Sequence, residues 1–171
     1  HGSGIPIVMS SFFCTSTAIT AGGFDSINIS RSLSKLKRVF VSFTAASGDS
    51  ESDVFRKPSG DFEFEMRIGS KLIPEERIKD SATFWYQLQK ALGAHKDAVR
   101  SINIVKSGYE GATFLIGQST EKLEGNSWAG LSMKNEMCTL SHKSAGGVGF
   151  EFVVLEYEQA LVLGEVTEVL D

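Results

Sequence analysis

Histidine is the side chain that exchanges a proton near neutral pH and the commonest metal ligand, so the three histidines are the first residues to weigh. His1 belongs to the opening His1-Gly2-Ser3-Gly4, which reads as a vector remnant over residues 1–4 and is set aside. His95 follows a stretch of helical pattern, where an imidazolium gains roughly 0.3–1 kcal/mol from the helix C-terminus. His142 lies four residues after Cys138. On a strand that offset puts both side chains on one face, but two ligands do not close a zinc site, so His142 is expected to be a loop-facing polar residue. Cys14 and Cys138 are far apart and lack CxxC spacing, which predicts two reduced, packed thiols. No GxSxG, HExxH or GxxxxGK[ST] pattern occurs. Glu63, Glu65, Glu75, Glu76, Glu156 and Glu158 fall on the solvent side of alternating patterns or in turns, and are read as solvated. The Gly-rich residues 144–149 run into a strand pattern rather than a helix, so they form a hairpin tip and not a phosphate cradle. The expectation is no catalytic residue, no cofactor, no metal and no enzyme.

What remains is recognition. Arg31, Lys35, Lys37 and Arg38 gather positive charge between two strand patterns. Trp128 sits as a large apolar residue among turn residues. These five are the candidate interface residues: the basic group is read as a solvated connection or as the complement of an acidic surface of a neighbouring copy, and Trp128 as core or an interface anchor. Direct nucleic-acid binding is not expected, because 17 basic against 21 acidic residues leave a net charge of −4 and pI near 5.4. Nor does any apolar run reach the roughly 18 residues that a membrane-spanning helix needs.

The elements that must position these residues are mainly strands. In residues 61–68, Phe62, Phe64, Met66 and Ile68 alternate with Glu63, Glu65 and Arg67, the period of a half-buried strand. Further strands are expected at 10–19, 24–29, 38–43, 112–117, 137–141, 149–157 and 160–163. The twelve phenylalanines suit such pleated surfaces. Residues 82–92 depart from this, with Phe84, Trp85, Leu88, Ala91 and Leu92 at helical spacing, Asp80 and Ser81 as caps and Gly93 as terminator. The fold class predicted is all-β, an eight-stranded jelly-roll sandwich with one short helix whose apolar stripe lies on the sandwich or covers an open end. Residues 5–171 form a single domain, with an immunoglobulin-like sandwich as the second architecture.

Several blocks, in their order along the chain, resemble the double jelly-roll major capsid proteins of polinton-like and adintovirus-like DNA viruses, relatives of the adenovirus hexon. Ile27-Asn28-Ile29-Ser30-Arg31, running on to Val39-Phe40-Val41-Ser42-Phe43, is similar to the segment forming an inner strand of that family's C-terminal jelly roll. Arg67-Ile68-Gly69-Ser70-Lys71-Leu72-Ile73-Pro74 leads into Phe84-Trp85-Tyr86-Gln87-Leu88, as in the family's strand, proline and helix order. Phe114-Leu115-Ile116-Gly117-Gln118 ends in the pair Glu121-Lys122, and residues 155–163 with 166–171 resemble the family's chain end. The resemblance covers residues 5–171 and corresponds to the second of the family's two jelly rolls. It implies a trimeric, pseudo-hexagonal capsomer of an icosahedral shell. The implied partners are further copies of the chain, an N-terminal jelly roll and penton or minor capsid proteins, and the implied location is the virion, with synthesis in the host cell. A carbohydrate-binding jelly roll is the alternative, with Tyr109 and Trp128 as its candidate aromatic platforms; a cupin-type enzyme, which needs a histidine cluster, comes third.

Overall fold

The computed structural model describes residues 5–20, 22–44, 54–95, 104, 106–121, 129–143, 146, 148–163 and 168–170. Eight strands make the sandwich: β1 (Ile5–Ala18), β2 (Phe24–Ile29), β3 (Leu36–Thr44), β4 (Glu63–Ile68), β5 (Lys71–Ile78), β6 (Leu115–Ser119), β7 (Cys138–Lys143) and β8 (Phe150–Leu163). A three-residue strand, β9 (Glu168–Leu170), adds to β8. Two helices, α1 (Ser81–Ala91) and α2 (Lys106–Tyr109), lie between β5 and β6.

The antiparallel pairings β1 with β8, β2 with β7, β3 with β6 and β4 with β5 are those of one long hairpin. Rolling that hairpin up brings β3 beside β8 and β4 beside β7. The result is two sheets, in the orders β1-β8-β3-β6 and β2-β7-β4-β5. This is a jelly roll, as the alternating patterns and single helix predict. At the hairpin's tip a two-residue turn joins β4 to β5, and Gly69 there takes a φ of +56°, a conformation in which a Cβ is strained.

The strands differ from expectation in particular places. β5 is not among the expected strands, since Pro74 and the charged Lys71, Glu75, Glu76 and Arg77 break the alternating apolar pattern. It is an edge strand, where a missing ladder donor and exposed charges are tolerated. The two strands expected at 149–157 and 160–163 are one, because Glu158 and Gln159, which interrupt the apolar pattern, continue in ladder register with Ser10 and Met9. β1 begins at Ile5 rather than residue 10.

Inward-facing residues of both sheets form one core: Val39, Val41 and Phe43 of β3 with Val153 and Leu155 of β8 on one side, Phe64, Met66 and Ile68 of β4 with Leu140 of β7 on the other. One end of the core is aromatic. Phe62 meets Phe43 edge-on at 5.3 Å and Phe84 at 5.5 Å, and Phe114 lies 5.6 Å from Phe84. Phe84, Leu88 and Ala91 are the buried stripe of α1. The helix lies so close along β6 that a Cβ on Gly117 would stand 3.1 Å from Leu88 Cα, which is why glycine occupies that strand position.

Asp80 is the N-cap: Oδ1 accepts from the Thr83 amide at 2.8 Å and Oδ2 from the Thr83 hydroxyl at 2.7 Å. Gly93, with φ +69°, follows the C-cap. The Thr83 hydroxyl, then its amide, hold the Asp80 carboxyl below its ordinary range. A carboxyl whose pKa is depressed on folding stabilises the protein above its unfolded pKa and loses that contribution as pH falls through the folded value. Asp80→Ala is therefore expected to cost about 1 kcal/mol in urea unfolding at neutral pH, a difference that shrinks on acidification.

Candidate functional site

The described titratable residues gather in three places, and each was incompletely visible in the sequence. The first contains the predicted basic group. β3 and the turn before it present Lys35, Lys37 and Arg38, and β8 runs alongside with Glu156 directly opposite Arg38. Glu121 joins them just after β6. Lys37 Nζ stands 2.7 Å from Glu158 and 3.6 Å from Glu121, while Lys35 Nζ reaches Glu158 at 3.3 Å. Arg38 spans Glu121 at 3.3 Å and Glu156 at 3.2 Å. Burial disfavours the Lys37 charge, but the Glu158 hydrogen bond and charge, joined by Glu121, outweigh it and raise the ammonium above its ordinary pKa. Arg31 lies apart from this network: its guanidinium sits 4.9 Å from the Phe13 ring and 5.3 Å from that of Tyr157, and donates to the Tyr157 hydroxyl at 3.1 Å.

The chain thus brings Lys35, Lys37 and Arg38 together and supplies their counter-charges itself. Glu158 is buried rather than solvated, and its carboxylate, with those of Glu121 and Glu156, pairs with the three basic side chains. Trp128 lies outside the described residues.

The second gathering is a pair inside the core. His142, from β7, and Glu151, from β8, meet between the two sheets with Nε2 and Oε2 2.8 Å apart. Both side chains are sealed from solvent, at 0% and 1% exposure. The expectation of a loop-facing His142 is therefore wrong. Strand alternation places Cys138, Leu140 and His142 on the same buried face, and the imidazole meets the Phe43 ring edge-on at 5.4 Å. A base must come within hydrogen-bond reach of its substrate, and this pair faces aromatic side chains instead. Ser141, His142 and Lys143 border a surface recess with Phe24, Glu63, Glu65 and Arg77. Its cavity volume is about 20 Å³, against roughly 300–1,000 Å³ for small-molecule sites. Ion pairs fill its polar rim: Arg77 bridges Glu63 at 3.1 Å and Glu65 at 2.9 Å. Glu65 is buried against that arginine, where a solvated position was expected.

The third is Lys57, 2.8 Å from Ser81 Oγ and 3.1 Å from Glu110, with Ser81 also donating to Glu110. Serine beside lysine is a nucleophile's arrangement, but an ammonium held in an ion pair is a poor general base. The trio ties the segment before β4 to the start of α1 and the end of α2.

The thiols and aromatics complete the picture. Burial pushes the Cys138 thiol up to about 12, the opposite of a reactive cysteine. Cys14 is exposed on β1, not packed as expected. Tyr109, a proposed sugar platform, is buried, and its hydroxyl donates to the Leu115 carbonyl at 2.7 Å. Among the described residues no three of His, Cys, Asp and Glu converge as a metal would require, and no helix is long and apolar enough to cross a membrane.

These observations define a class: an all-β jelly-roll sandwich in which the described charged clusters pair acidic with basic side chains of the same chain. No protein-family model matches the chain, and no curated protein matches it.

Proposed function

We propose that the chain is a structural building block, one jelly roll of a double jelly-roll viral major capsid protein, and not an enzyme. The observation that carries this reading is that the resembling blocks fall on successive parts of one jelly roll. Residues 27–43 span the end of β2 and β3, residues 67–93 the β4–β5 hairpin and α1, residues 114–122 span β6, and residues 155–163 the second half of β8. A shell subunit needs a stiff block, and the His142–Glu151 contact between the sheets, the Asp80 cap and the helix packed on β6 all serve stiffness. In this role the chain would associate with its own copies as a trimer, pair with an N-terminal jelly roll and contact penton or minor capsid proteins in the virion.

Light scattering across concentration, with negative-stain electron microscopy, tests the proposal. The expected result is a mass of three times the 18.6 kDa protomer, or shell-like particles. A chain that stays monomeric and binds glycans selectively on an array would replace this reading with the carbohydrate-binding one.

A further inference from the structure

The four edge strands of the sandwich are treated unequally. β6 is only five residues long and has α1 packed on the face that Gly117 presents. β5 carries Pro74 and the charged Lys71, Glu75, Glu76 and Arg77, and β2 is only six residues long and carries Asp25. Each is a recognised means of keeping foreign strands off an edge. β1 is the exception. It is 14 residues long, lies at the end of its sheet, and from Ile5 to Thr20 contains no Asp, Glu, Lys or Arg. Its one edge-blunting residue is Pro6, close to its end. Its apolar side chains are in solvent: Ile5 is 69% exposed, Val8 48%, Met9 45% and Phe12 62%.

We propose that β1 is an interaction edge, and that its occupant is β1 of a second copy, added antiparallel about a twofold axis so that the β1-β8-β3-β6 sheets of two protomers become continuous. The uncharged edge selects this partner. A protein of net charge −4 repels its own copies over most of its surface, and β1 offers a long approach where no charge opposes contact. A twofold contact requires a self-complementary surface, and an antiparallel pair of identical uncharged strands satisfies that with main-chain hydrogen bonds and apolar cross-strand pairs. This inference stands apart from the capsid reading, because it needs only an edge that no described strand pairs with.

The test uses the whole chain with Val8→Lys and Phe12→Lys together, two exposed positions on the same strand face, and a matching Val8→Glu and Phe12→Glu protein. The wild type is expected to show an even multiple of the 18.6 kDa protomer mass in sedimentation equilibrium, six copies where the proposed trimer also forms and two where it does not. Like charges facing across the pair should raise the dissociation constant by about tenfold or more in each variant alone. Mixing the lysine and glutamate variants should restore association. Thermal melts of both variants alone, matching the wild type, establish that they fold. A monomeric wild type, or variants that associate as the wild type does, overturns the proposal. A trimer untouched by the substitutions would do so while leaving the capsid reading standing.

Discussion

His142→Phe and Glu151→Leu are each expected to destabilise the protein by about 3–5 kcal/mol, while the double variant unfolds at or above the wild-type denaturant midpoint. The pair spans the two sheets at 2.8 Å with both side chains out of solvent, so removing either partner leaves a polar group in an aromatic core with nothing to replace water. Satisfaction is incomplete even in the intact pair, because His142 Nδ1 and Glu151 Oε1 find no hydrogen-bond partner among the described residues. The second substitution removes the orphan together with its cause, and the new apolar groups pack against Phe43 and Phe62, whose rings lie 5.4 and 6.1 Å from the imidazole. Urea unfolding of the four proteins closes the cycle. Single and double variants losing the same stability would mean that the sheets are not clasped by this pair.

How far the sequence discloses this arrangement depends on which residues must meet. Signals contained in a few neighbouring residues survive translation into structure: the alternation of Phe62, Phe64, Met66 and Ile68, and the Asp80 cap with Gly93 beyond the helix. Even the burial of His142 was present in the parity of Cys138, Leu140 and His142, though a polar residue at a core position argued against following the pattern. Partnership was hidden. Glu158 lies 123 residues from Lys35, and Glu121 lies 83 from Arg38, so only the registers of β8 and β6 against β3 could show that the basic group is neutralised at home. β5 was hidden for another reason: the features that protect a sheet edge, a proline and a run of charges, are locally the features of a turn. The same contrast gives the bare β1 its meaning, since an uncharged strand is unremarkable in sequence until the topology places it at an edge.

Phe84→Ala carries the other large effect, an expected loss of about 3–5 kcal/mol, against about 1.5 kcal/mol or less for Phe84→Leu. Phe84 is fully buried, and it is the side chain through which α1 enters the aromatic end of the core, 5.5 Å from Phe62 and 5.6 Å from Phe114. An 11-residue helix has little stability of its own, so its docking rests on this stripe, on Leu88 and Ala91 beside it, and on the close approach at Gly117. Truncating Phe84 should therefore act twice, opening a cavity among the rings and loosening the helix that packs on β6. Hydrogen exchange separates the two effects: α1 and β6 amides should lose protection in Phe84→Ala, while those of β2 and β7 fall only with global stability. Uniform loss across both sheets would show that the helix is as firmly held as the strands, and that its docking on β6 does not depend on this ring.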